Sequence, residues 1–185
     1  MFHMEQNNYK LRIVNELIKE KQYARALAKK HKTNHTTILR KLKELFNENV
    51  LDFKRQGKNK IYFLKNTSEA KSYIFMAENY KLNQLLKKYP NLRKIIEKIQ
   101  KNKKIKLAIV FGSYAKGLAK KTSDIDIYVE TVNKEIKKEL EIINSKASIK
   151  IGKYDSANLL IKEIEKNHVI IKGVEIFYEK HKFFE

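Results

Sequence analysis

The chain has no cysteine and no tryptophan, a single proline (Pro90) and five glycines in 185 residues. The missing cysteines exclude disulfides, thiolate zinc sites and a cysteine nucleophile. No apolar run approaches the roughly 18–20 residues of a membrane span. The first ten residues are polar and lack the apolar stretch of a signal peptide. These absences give the expectation of a soluble, cytoplasmic protein with no membrane partner. What is present suffices for folding: 42% of residues are hydrophobic and 34% charged, a balance that supports a core and argues against wholesale disorder. The length suits one medium domain or two small ones.

Acidic residues are also scarce. Lys and Arg number 41 against 21 Asp and Glu, a formal charge of +20. Such an excess points to a polyanionic partner, most often nucleic acid. A general lysine bias is the competing explanation, since 36 of the 41 are Lys and five are Arg. A general bias should spread evenly, and this one does not. Residues 1–66 carry +10, residues 67–103 carry +6 and residues 104–185 carry +4. The distribution favours a nucleic-acid site in the first half.

That half reads as three short helices and a hairpin. Leu11, Val14, Leu17 and Ile18 recur at helical spacing within 8–20. A second helix covers 23–30. The polar break His31-Lys32-Thr33-Asn34 precedes a third helix over about 35–47, with Thr33 or Asn34 as its cap. Val50 to Phe53 and Lys60 to Leu64 read as strands around the basic turn Arg55-Gln56-Gly57-Lys58-Asn59. This is the order of a winged helix-turn-helix, whose third helix enters the major groove by its N-terminal end. His35, Thr36, Thr37, Arg40 and Lys41 sit there, and Arg55, Lys58 and Lys60 on the wing would hold backbone phosphates or enter the minor groove. Residues 8–65, through the stretch NHTTILRKLKEL…NVLDFKRQGKNKIYFL, resemble the winged helix domains of archaeal and bacterial regulators. The resemblance implies double-stranded DNA as partner, and paired half-sites would call for a homodimer.

An amphipathic helix over 68–89, capped by Ser68, connects to the second half. Pro90 stops it, and another helix follows over 92–101 with Ile95, Ile96 and Ile99 inward.

The second half carries a chemical motif. The apolar strand Leu107 to Phe111 runs into Gly112-Ser113. Ten residues later comes Asp124-Ile125-Asp126-Ile127-Tyr128-Val129. Alternation along a strand puts Asp124 and Asp126 on one face and Ile125, Ile127 and Val129 on the other. Two carboxylates so placed repel each other unless a hard divalent cation such as Mg²⁺ or Mn²⁺ neutralises them. Gly112 and Ser113 at a helix N-terminus offer backbone N–H groups to phosphate, and Lys116 adds charge. A phosphate cradle facing a metal-binding carboxylate pair suits nucleotidyl transfer from a nucleoside triphosphate.

The stretch FGSYAKGLAKKTSDIDIYV, and with it residues 92–185, resembles the nucleotidyltransferase superfamily related to DNA polymerase beta, in its small, minimal form. The resemblance implies catalytic and metal-binding roles for Asp124 and Asp126, and nucleotide binding at Gly112, Ser113 and Lys116. It also implies a third carboxylate on a later strand. Along Ala147 to Gly152 that place reads as Lys150, a charge inversion that would impair two-metal catalysis. Asp155, Glu141 and Glu175 are the other candidate acids for that place. The tail reads as a helix over 155–167, capped by Asp155 or Ser156 with Leu159, Leu160 and Ile164 inward, then a strand and a last helix over 173–180.

The fold class expected is thus α+β, a winged helix domain (1–66), a connecting helix (67–91) and a nucleotidyltransferase-like domain with a mixed sheet and flanking helices (92–185). The expected function is a DNA-binding regulator whose second domain binds nucleotide and divalent metal. The alternative is an active transferase passing a nucleotide to a nucleic acid, a small molecule or a protein acceptor; small relatives of this kind transfer AMP to a partner protein.

Overall fold

The computed structural model describes residues 2–181 and 183–184, with side chains from residue 9 onward. It divides into two compact units, residues 1–80 and 81–185.

The first unit contains α1 (Phe2–Lys19), β1 (Gln22–Tyr23), α2 (Ala24–Lys30), α3 (His35–Asn47), β2 (Leu51–Gln56) and β3 (Asn59–Leu64). The helical stripes converge: Ile13, Val14 and Leu17 of α1, Leu27 of α2, and Ile38, Leu42 and Leu45 of α3 are all buried. The side chain of Asn34 caps α3, accepting from the Thr37 N–H at 2.7 Å. Strands β2 and β3 form an antiparallel hairpin whose last pair, Gln56 and Asn59, leaves a two-residue turn with Gly57 at φ +59°. The two-residue strand β1 adds to the other edge of β3. It is too short for a periodicity to announce it.

Helix α4 (Ser68–Lys88) runs across the division between the units. Thr67, rather than Ser68, caps it: the Thr67 hydroxyl accepts from the Ala70 N–H at 3.2 Å and donates to the Asn49 carbonyl at 2.8 Å. A polar cluster joins α1, α3 and α4. Lys10 Nζ lies 2.5 Å from Glu48 and 3.4 Å from Glu44, and the Tyr73 hydroxyl donates to Glu48 at 2.5 Å. Burial works against the charged forms of Glu44 and Glu48. For Glu44 the hydrogen bonds and charge of Lys41 and Lys10 outweigh it, and for Glu48 the hydrogen bonds of Lys10 and Tyr73 and the Lys10 charge do, so both carboxyls lie below their ordinary value.

The second unit continues through a 3₁₀ turn (Pro90–Leu92), α5 (Arg93–Lys101), β4 (Ala108–Val110), α6 (Gly112–Ala115), β5 (Ile125–Glu130), α7 (Lys134–Ile143), β6 (Ala147–Gly152), α8 (Leu159–Lys166), β7 (Val169–Lys172) and α9 (Val174–Lys180). The sheet order is β6-β5-β4-β7, with β4 antiparallel to both neighbours and β5 parallel to β6, so the sheet is mixed. Helix α7 makes the crossover that a parallel pair requires. Alternation divides the side chains between two faces. Ala108, Val110, Ile125, Ile127, Val129 and Ile149 join one core cluster with Ile95, Ile96 and Ile99 of α5 and Ile136 and Leu140 of α7. Ile109, Tyr128 and Ile170 belong to the other alternation, and they too are buried. Both faces of the central strands are covered, which explains their near-continuous apolar sequences.

Two details of the tail differ from the sequence expectation. Helix α8 starts at Leu159 and is capped by Asn158, which accepts from the Leu160 N–H at 2.8 Å. Asp155 holds a turn instead, accepting from the Ala157 N–H. Leu159, read as inward, is 82% exposed at the start of the helix, and Ile161 joins Ile164 on the buried side. Among the described residues no helix is long and apolar enough to cross a membrane.

Gly173 leads into α9 at φ +82°, where a Cβ would strike the carbonyl oxygen of Lys106. Gly57 has a positive φ but open space around it. Gly173→Ala should therefore cost about 2–4 kcal/mol in urea unfolding, the sum of backbone strain and overpacking, and Gly57→Ala only about 1 kcal/mol. The carboxyls held low by Lys10 and Lys41 stabilise the first unit above the ordinary carboxyl pKa. That contribution disappears as the pH falls through their lower folded-state values. In thermal melts of the full chain, Glu48→Gln should be less stable than wild type at neutral pH, and the two curves should converge on acidification below about pH 4.

Candidate functional site

The ladder between β4 and β5 does not stop at Val110. The Phe111 N–H donates to the Asp126 carbonyl at 3.0 Å, so the chain enters the next turn still bound to β5. Gly112 follows at φ +65°, and a Cβ there would collide with the Asp126 carboxylate. Only glycine allows the turn to pass against that side chain. The turn then winds into α6, with Lys116 N–H donating to Gly112 at 3.1 Å and Leu118 N–H to Ser113 at 2.9 Å. Tyr114 is buried edge-on against Tyr89, with centroids 4.8 Å apart, and so belongs to the core. Lys88 Nζ ties the loop down through the Gly117 carbonyl at 2.7 Å.

Asp124 immediately precedes β5 and is exposed, whereas Asp126 lies within the strand and is half-buried. Burial raises the Asp126 pKa above the ordinary carboxyl value. The charges of Asp124 and Glu163 push it in the same direction, and the Lys150 ammonium opposes them. The β5–β6 register accounts for the last influence. Asp126 pairs with Ser148 and Tyr128 with Lys150, so Lys150 is a diagonal neighbour of Asp126 on the parallel ladder. Lys150 is exposed at this edge of the sheet. Lys116, the expected phosphate ligand, lies 3.5 Å from Glu163 of α8.

The structure thus brings Gly112 and Asp126 into contact and couples Asp124, Lys150 and Glu163 to Asp126 electrostatically. Ser113 is half-buried in the first turn of α6. Among the described residues no group of three His, Asp or Glu side chains is placed to hold a metal ion. Asp155, Glu141 and Glu175 are not among the charges that act on Asp126; Glu163 is. No motif marked Glu163, and only the packing of α8 brings it there. Two hard carboxylate oxygens still fit a Mg²⁺ that takes its remaining ligands from triphosphate and water. They do not make the three-carboxylate set that two metals would need.

In the first unit, His35, Thr36 and Arg40 are exposed on α3, and Thr37 is half-buried. Lys41 differs from the expectation. It is 4% exposed, and its ammonium is 2.9 Å from each Glu44 oxygen, because position 41 faces the interior next to Leu42. Its charge is already satisfied. Arg55, Lys58 and Lys60 are exposed on the hairpin, with Lys60 Nζ 3.8 Å from the Phe53 ring centroid.

Residues 93–182 match the family described as polymerase beta, nucleotidyltransferase. The matched span begins with α5 and takes in the Gly112 turn, both aspartates and Lys150. The chain is also similar to the Methanocaldococcus jannaschii protein named "Putative protein adenylyltransferase", with 54% identity over 39 residues. That segment is 21% of this chain and spans 45% of the relative's length. The mixed sheet with flanking helices fits a nucleotidyltransferase-like domain.

The electrostatics of the site can be tested directly. Lys150→Met removes the cation that favours ionised Asp126, so the Asp126 carboxyl should titrate at higher pH. Asp124→Asn removes a repelling charge, so it should titrate lower. Carbon-13 NMR titration of the carboxyl reads both shifts.

Proposed function

We propose that the nucleotidyltransferase-like domain binds a nucleoside triphosphate and transfers its nucleotidyl group, AMP being the group and a protein hydroxyl the acceptor class. The observation that carries this reading is the Gly112 turn packed against Asp126. It sets phosphate-facing backbone beside the carboxylates that would hold a cation. The similarity to a protein named for adenylyl transfer to protein supports the choice of group and acceptor. Mg²⁺ or Mn²⁺ held by Asp124 and Asp126 would supply Lewis-acid polarisation of the triphosphate. The chain's own residues do the remainder. The Gly112 and Ser113 amides orient phosphate oxygens, and Lys116 neutralises charge once released from Glu163. The acceptor oxygen attacks the α-phosphorus, its hydroxyl proton passes to solvent water, and the bond to the β-phosphate oxygen breaks, releasing pyrophosphate.

A second reading rests on Lys150. A cation diagonal to Asp126 stands where the resemblance implies an acid, and it favours a domain that binds nucleotide with little turnover. The protein would then be a nucleotide-responsive DNA-binding regulator. In both readings residues 1–66 act as a winged helix on double-stranded DNA. His35, Thr36, Thr37 and Arg40 face the major groove, and Arg55, Lys58 and Lys60 contact backbone. Residues 67–91 connect, and a homodimer matches paired half-sites.

The deciding experiment incubates the full chain with α-labelled ATP, Mg²⁺ or Mn²⁺, and cell lysate, DNA or RNA as acceptor. Labelled protein that disappears in Asp124→Asn/Asp126→Asn establishes transfer. Lys150→Asp should then raise turnover, by supplying a third carboxylate. Nucleotide binding by calorimetry without labelling in wild type, together with labelling by Lys150→Asp, supports the regulator reading. No nucleotide binding in either protein overturns both.

A further inference from the structure

The sequence places its basic excess mainly in the first half, yet a concentrated share lies in the second unit. Between residues 93 and 106 there are seven basic side chains and one acid, Glu97. All seven basic side chains are exposed. Four are on α5, where Ile95, Ile96 and Ile99, following Leu92 of the 3₁₀ turn, take the buried side. At about 100° per residue, Arg93, Lys94, Lys98 and Lys101 fall within an arc of roughly 140° opposite that stripe. Lys103, Lys104 and Lys106 extend the charge beyond the helix. Among the described residues none of the seven is in an ion pair.

Helix stability explains only part of this charge. Arg93 and Lys94 stand in the first turn, where the helix dipole disfavours cations, and no acid accompanies them there. At the other end the dipole favours Lys98 and Lys101, but they are not needed as caps. Lys172 of β7 already reaches the terminal carbonyls, donating to Gln100 at 3.0 Å and Asn102 at 2.8 Å. Packing does not explain them either, because the apolar stripe alone makes the core contact.

We propose that this α5 face is a docking surface for the phosphate backbone of double-stranded DNA, separate from the proposed winged helix. Lysine-dominated charge reads phosphate rather than bases. A single strand would want exposed aromatic platforms. Residues 93–106 contain no aromatic residue. Along the axis the four α5 cations span roughly 12 Å, about three phosphates of one strand. The face belongs to the nucleotidyltransferase-like unit, so the proposal does not depend on catalysis there.

The test is fluorescence anisotropy of the full chain on a labelled DNA duplex between about 50 and 200 mM salt. Three variants accompany wild type: R93Q/K94Q/K98Q/K101Q on the α5 face, R55Q/K58Q/K60Q on the hairpin, and K134Q/K138Q/K153Q/K166Q as a control of equal charge loss at exposed sites. Circular dichroism melts verify folding. The α5 variant should flatten the slope of log affinity against log salt by about two to four units and lose more than tenfold affinity at low salt, with the control changing the slope by less than one unit. An unchanged slope in the α5 variant, equal flattening in the control, or no duplex binding by wild type overturns the proposal. So does tighter binding to single-stranded RNA than to the duplex. Loss confined to the hairpin variant overturns this inference and leaves the winged helix reading standing. Loss confined to the α5 variant supports this inference and overturns that reading.

Discussion

The hydrogen bond from Phe111 to the Asp126 carbonyl is the constraint on which the candidate site depends. It prolongs the β4–β5 ladder by one residue past β4, so the following turn must form within van der Waals reach of β5. The side chain it meets there is Asp126, and residue 112 must be glycine at positive φ. The Gly-Ser turn and the acidic strand are thus one piece of geometry, although ten residues separate Ser113 from Asp124 in the chain. The buried apolar residues on both sides of β4 and β5 hold that geometry in place. A half-buried carboxylate repelled by a neighbouring carboxylate is sustained by rigid surroundings rather than by its own energetics.

Much of this was legible in the residues. Helical periodicity located α1, α3, α4 and α5, and alternation located β5 and β6, because each of these elements is long enough to display its period. Gly112 and Asp126 were readable because strand, turn and spacing agreed. Glu163 was not, since its position depends on how α8 packs, and the start of α8 was itself misplaced. Asp155 and Ser156 are good caps by residue type, yet the chain turns there once more before Asn158 begins the helix. Lys41 was misread for a related reason. A lysine beside Leu42 looks like a polar-face residue, yet position 41 faces the interior and its ammonium meets Glu44 there.

The same residue type therefore serves different physical ends in this lysine-rich chain. Lys41 and Lys10 are partners in a partly buried network with carboxylates. Lys172 and Lys88 satisfy backbone carbonyls. Lys60 rests on an aromatic ring. Subtracting such internal tasks is more informative than net charge, because the cations left with no internal task are the ones whose position calls for an external explanation.

Lys150 has a role that does not depend on nucleotides. It lies on β6, one of the two edge strands of the second sheet. An edge strand presents a row of N–H and C=O groups to any extended segment that approaches, including the same strand of another copy. An exposed ammonium on that strand resists dehydration and repels its own counterpart. A cation on this edge strand thus opposes growth of the sheet by one more strand, and the aggregation that such growth begins.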